Sequence, residues 1–151
     1  MPNFAATADE RTLIKPHWSF WLIGAVALIW NGLGVLNFFM QFNPEAMEMM
    51  PEWWHAVIEN RPIWATLSMV VAVFGGAFGA ILLLVRKRWA LQVFIASLLG
   101  VVLTMAHSLS VVGPMVEVGF RQVFEAVVMS IVIGVFLIWY AYFAKSKGWI
   151  K

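Results

Sequence analysis

The sequence predicts an all-α polytopic membrane protein, an up–down bundle of four transmembrane helices with an interfacial helix in the first outer loop. Three observations predict it. Of 151 residues, 62% are hydrophobic and 12% charged, whereas about a quarter of a soluble domain is charged. The ten basic and eight acidic side chains are confined to 1–15, 45–61, 86–88, 117–125 and 145–151. Between these segments lie four charge-free windows, 16–44, 62–85, 89–116 and 126–144, of 29, 24, 28 and 19 residues. At about 1.5 Å per residue, roughly 20 helical residues cross a hydrocarbon core of about 30 Å. The windows meet that length, which excludes a soluble globular domain. They are too long and too uniformly apolar for barrel strands, and lipid permits only helices and closed barrels.

Each element has a local reason. Residues 1–16, with Asp9, Glu10, Arg11 and Lys15, read as a polar cytoplasmic tail preceding a single domain over 17–144. The first helix runs from about 17 to 40. Its apolar stretch exceeds the roughly 7–15 residues of a signal-peptide core and no small-residue cleavage site follows, so it is expected to stay in the chain.

The loop 41–61 reads as short helical pieces. Asn43-Pro44-Glu45 supplies an N-cap, a proline at the first helical position and an acid in the first turn. Pro51-Glu52 opens a second piece. Its apolar residues Trp53, Trp54, Val57 and Ile58 share one face, as expected of a helix lying on the membrane surface.

Arg61-Pro62 opens the second span, 62–85, and the short turn Arg86-Lys87-Arg88 makes it an antiparallel neighbour of the third, 89–112. Gly113-Pro114 ends that helix. Residues 115–120 read as a loop, 121–144 as the fourth span, and 145–151 as a basic cytoplasmic tail.

Orientation follows from the cations. Arg11, Lys15, Arg86, Lys87, Arg88, Lys145, Lys147 and Lys151 fall on one side, Arg61 and Arg121 on the other. The positive-inside rule therefore puts both termini of this multi-pass chain in the cytoplasm, and a bacterial inner membrane is the expected compartment.

Other chemistry is thin. With no cysteine, disulfides, thiolate metal sites and iron–sulfur clusters are excluded. His17, His55 and His107 lie at three levels and offer no facing pair for haem. No phosphate loop, G-x-S-x-G or H-E-x-x-H occurs. The basic residues sit at helix ends with a net charge of only +2, so topology accounts for them and no nucleic-acid partner is expected. The outer-loop run Met47-Glu48-Met49-Met50 near His55 has the soft ligands that suit Cu(I). The plainer reading dips these methionines into the interface, and neither a metal nor a cofactor is expected.

Polar residues within the spans are the best site candidates, because hydrocarbon makes them costly. Asn37, His107 and Glu125 fall at about one level, roughly 9–12 Å outward of the midplane. Ser97, Gly100, Thr104 and His107 share one helix face, as do Trp30, Gly34, Asn37 and Gln41. Asn31, Asn37, Thr104, His107 and Glu125 therefore outline a polar pocket in the outer half, with His107 and Glu125 a proton-linked pair. The simpler alternative pairs Glu125 with Arg121, one turn earlier, and satisfies Asn37 and His107 with each other or with backbone carbonyls. Ala72, Gly75, Gly76 and Gly79 form a small-residue stripe on the second span. It suits either close packing within the chain or a homo-oligomer seam.

Trp30-Asn31-Gly32-Leu33-Gly34, Met50-Pro51-Glu52-Trp53-Trp54, and Gly75-Gly76-x-x-Gly79 leading into Leu82 through Ala90 together resemble a group of short bacterial four-span inner-membrane proteins. Members are often labelled "sugar transporter" or hypothetical. The resemblance covers roughly 30–100. In that group an Asp-Tyr pair often follows the Trp-Asn motif, and Asn37-Phe38 stands there in this chain. The resemblance implies a four-span fold and carries over no catalytic residue. With no nucleophile–base or metal constellation, an enzyme is not expected. The reading is a non-enzymatic accessory or scaffold component of a larger membrane complex. The alternative is a small oligomeric transporter or ligand-binding protein using the polar pocket.

Overall fold

The computed structural model describes residues 14–112 and 117–151. Its helices are α1 (Trp18–Met40), α2 (Pro44–Glu48), α3 (Glu52–Glu59), α4 (Ile63–Leu84), α5 (Ala90–Val112) and α6 (Glu117–Ser146). There is no strand among the described residues. The helices α1, α4 and α5, and Phe124–Ser146 of α6, are long and apolar enough to cross a membrane. Three spans match their expected limits to within a residue. The fourth begins earlier: residues 117–120, expected as loop, are its first turn. The expected stop at Gly113-Pro114 lies outside the described residues.

Sequence neighbours pack together: α1 on α4, α4 on α5, α5 on α6. The α4–α5 pair is the tightest. A methyl group at Gly100 would sit 2.6 Å from the Ser68 carbonyl oxygen and 2.7 Å from the Ala72 nitrogen, so only glycine allows this backbone approach. The helices α1 and α6 form no comparable pair. Their side chains meet at the end carrying the termini, where Phe20 lies 6.4 Å from Tyr140 and 5.9 Å from Trp149, ring centre to ring centre.

Two apolar clusters result. The larger, at the termini end, holds Phe20, Leu83, Phe94, Leu137 and Tyr140. The smaller, at the loop end, holds Val57, Val112 and Val127, with Trp53 packed against it. Helix α3 thus turns Val57 onto α5 and α6, where the sequence predicts a helix lying on lipid. The bundle end offers that apolar face a drier partner than the membrane interface does. Helix α2 is built as expected: Asn43 Oδ1 accepts from the Glu45 and Ala46 nitrogens at 2.9 and 3.3 Å.

The expected C-terminal tail is structured. Helix α6 closes with a Schellman motif: Trp149 N donates to Ala144 O and Gly148 N to Lys145 O, around Gly148 at φ 71°. Ile150 is then buried. Helix α4 closes the same way, with Lys87 N on Leu82 O and Arg86 N on Leu83 O, but its left-handed residue is Arg86, φ 64°. The two caps are joined, since Lys151 N donates to Arg86 O at 3.0 Å and Arg88 N donates to Lys151 O.

Candidate functional site

Between the two clusters lies a cavity of about 510 Å³, bounded by all four spans and by Trp54 of α3. Its size and mostly apolar wall are those of a small-ligand pocket. Polar groups enter at a few points: Asn31 and Asn37 from α1, Ser97 and Thr104 from α5, and Ser130 from α6. No charged side chain lines it among the described residues. A second hollow of about 400 Å³, lined by Trp30, Glu125, Ala126, Met129 and Ser130, lies between α1 and α6. It shares Trp30, Ala126 and Ser130 with the first. The missing α1–α6 packing is thus a lateral opening.

Three of the five residues expected in a pocket therefore meet in one cavity. Asn31 donates from Nδ2 to Ala27 O at 2.7 Å, and its side-chain oxygen lies where a methyl on Gly76 would have to go. Asn37 lines the cavity and is exposed. Thr104 is 8% exposed, yet its Oγ1 is shut from solvent without a partner. A helical threonine ordinarily bonds back to the carbonyl four residues earlier, so this orphaned hydroxyl is a costly feature.

The other two do not join them. His107, 7% exposed, has Nε2 3.5 Å from Val57 O and an edge-to-face contact with Trp64 at 5.8 Å. Glu125 accepts from Arg121 Nε at 2.9 Å on an exposed surface. With separate partners, His107 and Glu125 are not a pair. Glu125 marks the lateral opening, and His107 is tied to the α3 backbone by a long contact.

The small residues of α4 face inward. Gly75 lies against Ser97, Gly76 against Asn31 and Ser97, and Gly79 against Phe94. Ala72 is buried and its carbonyl accepts from Ser97 Oγ at 2.6 Å. Packing within the chain accounts for all four. His55 Nε2 lies 2.9 Å from Met47 O and Met49 is 87% exposed.

One feature escaped the sequence reading. Arg61 reaches from the loop into the α1–α4 interface, where Nη1 donates to Gln41 Oε1 at 2.8 Å and to Met69 Sδ at 3.1 Å. Met69 lines the cavity. Burial pushes the Arg61 guanidinium below its ordinary pKa. Gln41 on the predicted inward face of α1 was the available signal.

No protein-family model, curated protein or solved structure matches the chain.

Proposed function

We propose that the protein is a multi-pass protein of a bacterial inner membrane, with both termini cytoplasmic, that binds a small, largely apolar ligand drawn from the bilayer. The cation distribution supports the orientation: eight cations lie on the side of the termini and two on the other. The observation that carries ligand binding is the cavity itself, apolar over most of its wall and open between α1 and α6. Asn37, exposed on its wall, gives it an amide that a ligand oxygen can bond. No catalytic step is proposed.

A second reading is an accessory component of a larger complex. It is favoured by α6, which packs mainly on α5 and leaves Val128, Val132, Val135 and Trp139 exposed. In that case a partner helix would fill the α1–α6 opening.

Native mass spectrometry of the protein extracted with its surrounding lipid tests both. Ligand binding predicts a reproducible small-molecule mass, lost in Ala126→Trp, which blocks the opening. A stoichiometric foreign subunit, with no small-molecule mass, would reject it in favour of the accessory role.

A further inference from the structure

The cavity has a charged neighbour that the fold leaves unneutralised. Arg61 is half-buried, and its Nε is shut from solvent with no partner. The ion pair present among the described residues is Arg121–Glu125. Glu45, Glu48, Glu52 and Glu59 belong to the same loop, yet none of them pairs with Arg61. An unpaired, partly desolvated cation is unfavourable.

Of the two acceptors on Nη1, the Gln41 amide oxygen at 2.8 Å is the good one and the Met69 thioether at 3.1 Å the weak one. A thioether is a poor acceptor, and Met69 Sδ takes a guanidinium bond that an oxyanion would make roughly twice as strong as a neutral group does. Met69 is also a wall of the cavity, so swinging it aside connects the cavity to Nη1. Toward the midplane the wall is apolar, with Leu98, Val101, Ile133 and Leu137. A molecule placed head to Arg61 and chain between these side chains is oriented like a lipid of the surrounding leaflet. The α1–α6 opening lets its chain enter sideways without leaving hydrocarbon.

We propose that the cavity takes an anionic single-chain amphiphile, with a carboxylate or phosphate head on Arg61 and an apolar chain between α1, α5 and α6. This rests on the ligand-binding reading above and adds the charge of the ligand to it. The head displaces Met69 Sδ from Nη1.

The test uses the full chain in nanodiscs of phosphatidylcholine. A palmitate analogue and a hexadecanol analogue, each with a diazirine in the chain, are photolysed and the labelled residues mapped. Unlabelled palmitate, palmitoyl lysophosphatidate and hexadecanol compete. Both probes should label cavity residues, and an oxyanion should compete at least about tenfold better than the alcohol, a difference of about 1.4 kcal/mol. Arg61→Gln should bring that ratio near one without changing hexadecanol binding, which also reports that the variant is folded. Arg61→Lys should keep part of the preference. Stronger competition by lysophosphatidate would identify a phospholipid-derived ligand, and by palmitate a free fatty acid. A wild-type ratio near one, or a ratio unmoved in Arg61→Gln, overturns the charged head and leaves the cavity reading standing. No cavity labelling by either probe overturns both.

Discussion

Arg86 donates from Nε to the Trp149 carbonyl at 2.7 Å, and this bond fastens the α4–α5 turn to the segment that follows α6. The same guanidinium donates from Nη2 to Ile14 O at 2.7 Å. Three stretches far apart in sequence are tied by one side chain. Its backbone sits in a left-handed conformation (φ 64°) that costs a non-glycine residue about 1–2 kcal/mol.

Two substitutions separate the strain from the bonds. Arg86→Ala loses both hydrogen bonds and keeps the strain. Arg86→Gly loses both and removes it. Thermal unfolding in detergent should therefore place Arg86→Gly about 1 kcal/mol above Arg86→Ala, with both below wild type. Equal stabilities would mean that the turn relaxes once the side chain is gone.

Gly76 and Asn31 should be coupled. A methyl group at Gly76 meets the Asn31 side chain, so Gly76→Ala should destabilise by about 1–3 kcal/mol. Adding Asn31→Ala should recover at least about 0.5 kcal/mol of that loss in a double-mutant cycle. Gly100→Ala should resist any such rescue, because its obstacles are the backbone atoms of Ser68 and Ala72.

The spans, the turn between α4 and α5, and the inward face Ser97–Gly100–Thr104–His107 were legible in the sequence. Each depends on the segregation of charge or on helical spacing, which are local properties. The separation of His107 from Glu125 was not: equal depth puts residues at one level, and says nothing about which way each helix is turned. The role of α3 escaped for a related reason. Its apolar stripe suits a lipid surface and a protein surface equally, and Val57 chooses the latter through contacts with Val112 and Val127. The reach of Arg61 into the bundle runs against the rule that cations at helix ends turn to water, and Gln41 on the inward face of α1, its partner, is the one sign of it in the residues. The buried tail is intermediate, since Gly148-Trp149-Ile150 is a helix stop followed by apolar residues, visible only if the basic neighbours are set aside.

Thr104 in the cavity wall and Arg61 beside the cavity should cost stability in the empty protein. Thr104→Val keeps the shape and removes an unpartnered hydroxyl, so it should raise stability by about 1 kcal/mol. Arg61→Met replaces a half-buried cation with an apolar chain of similar length. It should be neutral or stabilising by up to about 1 kcal/mol, the gain limited by the partial exposure of the charge. Stability curves without added ligand decide this; a loss above about 1 kcal/mol for either variant would assign the side chain a structural role instead.

Glu125→Gln should change little. The Arg121 pair is exposed and four residues apart on one helix, a geometry worth about 0.3–0.5 kcal/mol. Because His107 faces Val57 and Trp64, its imidazole resonances should keep the same chemical shifts by NMR in Glu125→Gln as in wild type. A displaced imidazole resonance would restore the pair that the geometry separates.

The order of helix packing bears on how the chain is made. Among the described residues every extensive contact between spans joins spans that follow one another in sequence, so each new span leaving the ribosome finds its partner already in the membrane. Local contacts of this kind involve short loop closures and form quickly. The clamp from Arg86 to Trp149 and Ile14 must wait until the last helix has been synthesised. It acts as a latch set at the end of assembly, and it sits at the opposite end of the bundle from the loop helices that cap the cavity.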